Sequence, residues 1–171
     1  TDPGIVDLSF TLVDKYPVLL HTMFDRLYLD WQNDKWQIRL GRQRLNWGIN
    51  LAWNPNDIFN TYNFLDFDYE ERPGADALKV QYNISSFSNI EVAFSPSRYK
   101  EKMVGAVKYA FNKNSYDFQI MAGNYQHDVF LGFGWAGNIK DAGFKGEVSY
   151  FQDWNDTKFK NVAVSGSLTA D

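Results

Sequence analysis

The chain has 171 residues, Lys+Arg 17 against Asp+Glu 21 for a net charge of −4, 44% hydrophobic and 18% aromatic residues, and no cysteine. This composition excludes a disordered chain, a disulfide scaffold or thiolate metal site and, with no dense basic run, a nucleic-acid partner. Mean hydropathy is nonetheless −0.43, so polar and apolar residues must interleave, and no run approaches the roughly 18 apolar residues of a membrane helix. Any membrane-spanning role therefore falls to strands. The opening Thr1-Asp2-Pro3 has neither an initiator Met nor a signal segment and reads as a mature or trimmed product.

Period-2 alternation runs through most of the chain. A weaker strand is expected near Val6 to Val13, with Leu8, Phe10 and Leu12 on one face. From Asp25 to Trp31, Leu27, Leu29 and Trp31 oppose Arg26, Tyr28 and Asp30. Trp36, Ile38 and Leu40 then oppose Gln37, Arg39 and Gly41. Beyond a long connection, Leu78, Val80, Tyr82 and Ile84 oppose Lys79, Gln81 and Asn83, and Ile90, Val92 and Phe94 oppose Asn89, Glu91 and Ala93. Val107, Tyr109 and Phe111 oppose Lys108 and two alanines, Tyr116, Phe118 and Ile120 oppose Asp117 and Gln119, and Val129 to Trp135 opposes Gly132, Gly134 and Ala136. Phe144, Val148 and Tyr150 oppose Lys145, Glu147 and Ser149, and a second weaker strand lies near Phe159 to Leu168.

Tight turns are expected near Asn33-Asp34, Ser86-Phe87, Asn112 to Ser115 and Asn138 to Asp141. They alternate with longer connections at Gly48 to Ala75, Ser95 to Lys102, Asn124 to Asp128 and Gln152 to Lys158. Turn centres recur about every 27 residues, the spacing of an up-and-down meander of membrane-length strands. The fold class is therefore all-β: an antiparallel up-and-down transmembrane β-barrel with about 8–10 strands visible, in one domain or barrel segment over 1–171 with a long loop at 48–75.

A soluble sandwich or lipocalin-like barrel would share the alternation, with its apolar face turned to a core. Against it stands the other face, where Arg26, Asp30, Arg39, Lys79, Glu91, Lys108, Asp117, Lys145 and Glu147 lie mid-strand, as on a water-filled lumen. Aromatic residues toward strand ends on the apolar face suit interfacial belts.

The stretch from Gly41 to Asp76 carries Gly41-Arg42-Gln43-Arg44, Trp47-Gly48, Asn54-Pro55-Asn56-Asp57 and an acidic run closing on Pro73-Gly74-Ala75-Asp76. It resembles Gram-negative outer-membrane porin-type barrels, including the alginate-export-like families, in which a Gly-Arg-Gln…Trp-Gly strand end leads into a long loop. The resemblance implies a cell outer-membrane location and passage of small polar solutes, with the lipid bilayer and other outer-membrane proteins as expected partners. Eight to ten strands would close around a nearly filled interior, and the chain stops at Leu168-Thr169-Ala170-Asp171 rather than at a terminal aromatic, so a segment of a larger barrel is expected.

The expected function is a porin-like channel for passive diffusion of small polar or anionic solutes; the alternative is a non-conducting outer-membrane barrel serving as a structural or partner- or glycan-binding subunit of a larger complex. The pore-lining set is Arg26, Asp30, Arg39, Arg44, Lys79, Glu91, Lys108, Asp117, Lys145 and Glu147, because guanidinium and ammonium groups on a wall attract anions while acids balance them. Arg42 shares parity with Leu40, so it must snorkel, face a neighbouring protein or follow a bulge that also explains Leu45 and Trp47. The aromatic loop 48–75 is expected to fold into the mouth as a constriction, with Trp53, Asp57, Asp66, Asp68 and Glu70 setting the local field. No catalytic, metal or cofactor site is expected: His21 and His127 lack ligand spacing, and Asp66-x-Asp68-x-Glu70 lacks the spacing of a calcium loop.

Overall fold

The computed structural model describes residues 5–16, 18–50, 53–59, 74–155 and 160–170. Among the described residues there are eleven strands: β1 (Ser9–Lys15), β2 (Val18–Met23), β3 (Leu27–Gln32), β4 (Trp36–Gln43), β5 (Ala75–Ser85), β6 (Ser88–Ser95), β7 (Val104–Lys113), β8 (Tyr116–Tyr125), β9 (Asp128–Ile139), β10 (Ala142–Asp153) and β11 (Lys160–Ala170). β1 and β2 form a hairpin of their own, while β3 to β11 make a nine-stranded antiparallel sheet in sequence order. The all-β, antiparallel, up-and-down reading therefore holds. β3 and β11 are its edges.

Register explains why alternation was so regular. Ile38 pairs with Val80, Val80 with Val92, Val92 with Val107, and Arg39 with Lys79, so residues of like character line up across the sheet. Glu91 pairs with Lys108, Gln119 with Gly134, and Gly134 with Glu147 on the opposite, polar face. The one irregularity within the large sheet is between Asn83 and Ser85, beside the β5–β6 turn.

The apolar face is the exposed one: Leu29 is 77% accessible, Leu131 49% and Ile120 49%. Toward the end of the sheet that holds the turns 33–35, 86–87, 114–115 and 140–141, its rings form a band. Trp36 packs on Tyr82 at 4.6 Å. Phe111, Phe118, Phe133, Trp135 and Phe144 follow one another across β7 to β10 at centroid spacings of 5.4–6.2 Å. The core lies on the other face, around Leu45, Trp47, Ile58, Phe59, Met121 and Phe130.

Three expectations are corrected. The link from Asn124 to Asp128 is not a longer connection but a two-residue turn, because Gln126 takes a left-handed φ of 57° that β8 and β9 require to reverse directly. The first long connection runs from Arg44 to Gly74 rather than from Gly48 to Ala75, since β4 ends at Gln43 and β5 starts at Ala75. The weaker N-terminal strand is the first of two, and its partner β2 has no clean alternation to announce it.

Candidate functional site: a loop seated on the polar face

The chain keeps its strand parity on leaving β4. Gln43, Leu45 and Trp47 are buried in alternation with exposed Arg44 and Asn46, and no bulge precedes them, since β4 pairs with β5 without a shift. Residues 45–50 and 53–59 thereby lie on the polar face of the sheet. Gln43 Nε2 fixes the departure by donating to the Ala77 carbonyl at 2.9 Å.

Two glutamates hold this segment. Glu147 of β10 is 0% exposed. It accepts backbone N–H groups from Ile49, from Asn50 at 3.0 Å and from Asn56 at 3.2 Å. A carboxylate with three N–H donors satisfies loop groups that no strand can reach, and charge-assisted bonds of this kind are the strong ones. Glu91 of β6 accepts the Trp47 indole N–H and pairs with Lys108 Nζ at 3.3 Å. The same ammonium sits 5.0 Å from the Trp47 ring centroid, and Phe59 meets that ring edge-on at 4.9 Å.

Neutral side chains complete the seat. Asn54-Pro55-Asn56-Asp57 is a turn closed by Asp57 N–H on the Asn54 carbonyl at 3.1 Å, with proline where a turn's preset φ falls. Asn56 Nδ2 donates to the Phe133 carbonyl at 3.1 Å and its Oδ1 accepts from Ser149 Oγ at 2.6 Å. Gln119 Nε2 donates to the Trp47 carbonyl at 2.7 Å, and Asn50 Nδ2 donates to Ser165 Oγ. The close approach depends on Gly132 and Gly134. A Cβ there would meet Asn56 Oδ1 at 2.7 Å and Ile49 Cδ1 at 2.8 Å.

The remaining polar face is open and charged. Arg39 binds Asp30 through Nε at 3.0 Å and through Nη2, and stacks 4.5 Å from the Tyr28 centroid. Lys79 Nζ donates to Gln37 Oε1 at 3.3 Å, and Gln37 Nε2 donates to Asp30 Oδ2 at 3.2 Å. Asp30, Arg39 and Lys79 are thus brought into one row over β3 to β5, which continues on Ala93 and Ala106, while Glu91 and Lys108 pair one row over, in line with Gln37 and Gln81.

The other sequence-derived positions lie apart. Arg26 is exposed and paired with its neighbour Asp25 at 3.3 Å; Arg44 is exposed beyond β4. Asp117 is exposed near the β7–β8 turn, where it accepts from Asn112 at 2.8 Å. Lys145 is half-buried on β10, between Ala136 and Ser167. Of the loop set, Trp53 is exposed and Asp57 buried, while Asp66, Asp68 and Glu70 lie outside the described residues. Asn56, Gln119 and Ser149 were not anticipated as loop-binding groups; the Asn-Pro-Asn turn signal was their one trace in the sequence.

Arg42 keeps its outward parity and lies on the apolar face. It is 4% exposed, paired with Asp76 directly across from it at 2.9 Å, and donates to the Val6 carbonyl at 2.8 Å. Asp76 in turn accepts the Ile5 N–H at 2.7 Å. A strap, residues 5–8, thus covers an ion pair that would otherwise stand uncompensated on an apolar surface. Comparison with protein-family models, with curated proteins and with solved structures returns no match.

Proposed function

We propose that this chain forms wall strands of an outer-membrane porin-type β-barrel, with the apolar face against lipid and the polar face toward an interior that segment 45–59 narrows. The observation that carries the reading is the separation of the two faces, kept in register from β4 to β11 save for the irregularity beside the β5–β6 turn, with the apolar side exposed. Links of two or three residues at one end, and at the other links 44–74, 96–103 and 154–159 with the two-residue turn 126–127 among them, resemble the turn and loop ends of such barrels, and the aromatic band lies at the short-turn end, where an interfacial girdle belongs. Unpaired ladder groups at β3 and β11 are costly in lipid, so further strands complete the wall. The open row of Asp30, Arg39 and Lys79 offers donors and both signs of charge to small polar or anionic solutes.

A second reading, a non-conducting barrel subunit, draws support from the dry seating of 45–59 around Trp47, Phe59 and Phe130. Two experiments decide. Brominated lipids are expected to quench a variant retaining only Trp135 and to spare one retaining only Trp47; equal quenching, or a folded protein that needs no detergent, would sink the lipid-facing reading. Planar-bilayer recordings then separate channel from scaffold, since stable insertion without conductance steps would reject the channel.

A further inference from the structure

We propose that the space between the strap and the apolar face is a binding site for one acyl chain of an anionic phospholipid, with its headgroup held at the mouth by Lys102 and Ser97. This rests on the lipid-facing reading and goes beyond it. A cavity of about 510 Å³ has Leu27, Leu40, Leu78 and Phe94 as floor and Val6 and Leu8 as roof, a volume within the roughly 300–1,000 Å³ of small-ligand sites. The strap is held off the sheet by its own bonds: Ile5 N–H to Asp76, Arg42 to the Val6 carbonyl, Arg98 Nη2 to the Ile5 carbonyl at 3.0 Å, and Phe24 N–H to the Leu8 carbonyl at 3.1 Å.

The lining selects hydrocarbon over peptide. Floor residues of β4, β5 and β6 spend their backbone groups on the sheet ladder, and Arg42 and Asp76 spend theirs on each other and on the strap. A bound peptide would bury N–H and C=O groups without partners, whereas an alkyl chain carries none. Charge selects the headgroup. A polar recess of Ser95, Ser97 and Lys102 adjoins the cavity and shares Ile5, Asp76 and Pro96 with it. Ser97 and Lys102 line this recess, and the intervening segment reads Arg98-Tyr99-Lys100-Glu101-Lys102, three cations to one acid. A phosphate there gains charge-assisted hydrogen bonds while its chain enters the trough.

The full chain, reconstituted in phosphatidylcholine nanodiscs, is photolabelled with acyl-diazirine probes bearing either a phosphatidylglycerol or a phosphatidylcholine headgroup, and adducts are mapped by mass spectrometry. Adducts at Leu78, Phe94 or Val6 are expected several-fold stronger for the anionic probe, with Lys102→Ala plus Ser97→Ala erasing that preference without disturbing the strap. Ile120 and Leu131 should label equally with both probes. Groove adducts that ignore the headgroup, or an unlabelled groove beside labelled Ile120 and Leu131, would overturn the proposal and leave the lipid-facing reading intact. Groove peptides cross-linked to a second copy of the chain would also overturn it, assigning the trough to protein docking. A folded protein with Ile120 and Leu131 unlabelled would overturn both.

Discussion

Replacing Glu147 should release the loop while sparing the sheet. The carboxylate is wholly buried and is the acceptor for the N–H groups of Ile49, Asn50 and Asn56. Stranding a buried donor costs about 1–3 kcal/mol, so three would cost roughly 3–9 kcal/mol if the segment stayed in place. It can instead lift off, so the observed loss is capped by the docking free energy of 45–59. Glu147→Gln keeps one acceptor oxygen and sets an amide NH2 against one backbone N–H, a loss of about 1–3 kcal/mol; Glu147→Ala removes every acceptor and should cost about 3–5 kcal/mol. Since about 1.4 kcal/mol is tenfold, amides of 49, 50 and 56 should exchange roughly tenfold or more faster in the glutamine variant, and two to three orders of magnitude faster in the alanine variant. Hydrogen exchange read by NMR or mass spectrometry on the folded protein resolves this. Unchanged protection at the three amides would refute the anchoring role. Equal loss across the β9–β10 ladder would refute it too, by making Glu147 a support of the sheet rather than of the loop.

Other substitutions probe the same geometry from different sides. Trp47→Ala should leave a cavity beside Phe59 and strip Glu91 of its indole donor, at a cost of about 3–5 kcal/mol, read as a lowered urea midpoint at unchanged slope. Gly134→Val should displace Ile49 and Gln119 and destabilise by about 1–3 kcal/mol through overpacking, with loop peptides cleaved faster in limited proteolysis; resistance equal to the parent would contradict the close approach. A double-mutant cycle on Arg42→Ala and Asp76→Ala should give a coupling of about 1–3 kcal/mol, because each single change leaves a desolvated charge beside the strap. In a conducting preparation, Asp30→Asn should move reversal potentials toward anion permeability, since Arg39 and Lys79 then stand without their facing acid; an unmoved potential would place the solute path elsewhere.

The sheet was legible in the sequence because a one-residue slip moves every side chain to the other face, so register and hydropathy encode each other. That logic placed Val80, Val92 and Val107 on one surface with no knowledge of pairing. It failed at Gln126, where backbone conformation rather than hydropathy makes the turn and no glycine marks it. For Arg42 it left three options. The outcome, an outward-facing pair with Asp76 beneath a strap some 70 residues away in sequence, rests on contacts that a local pattern does not contain. Leu45 and Trp47 needed no bulge, since the alternation of β4 simply continues past its last ladder bond.

The two glutamates show why periodicity alone understates this site. Glu91 and Glu147 occupy positions equivalent to Lys79 and Lys145 in the alternation, and nothing local distinguishes a carboxylate facing water from one facing backbone N–H groups. Gly132 and Gly134 carry the distinguishing information, because side chains missing from one stretch of β9 make room for a segment to lie close. The result is a sheet inverted relative to a soluble sandwich: its aliphatic and aromatic side is accessible, and two acids of its polar side, Glu91 and Glu147, are covered. In water that arrangement leaves a large apolar area exposed while still requiring glutamate burial, so hydrophobic burial contributes little to offset the ordering of nine strands. Against hydrocarbon the same surface carries no penalty, and loop packing on the polar side becomes the main source of specificity in the fold. On the proposed lipid-facing reading, the arrangement of charges and rings answers to two solvents, one on each side of the sheet.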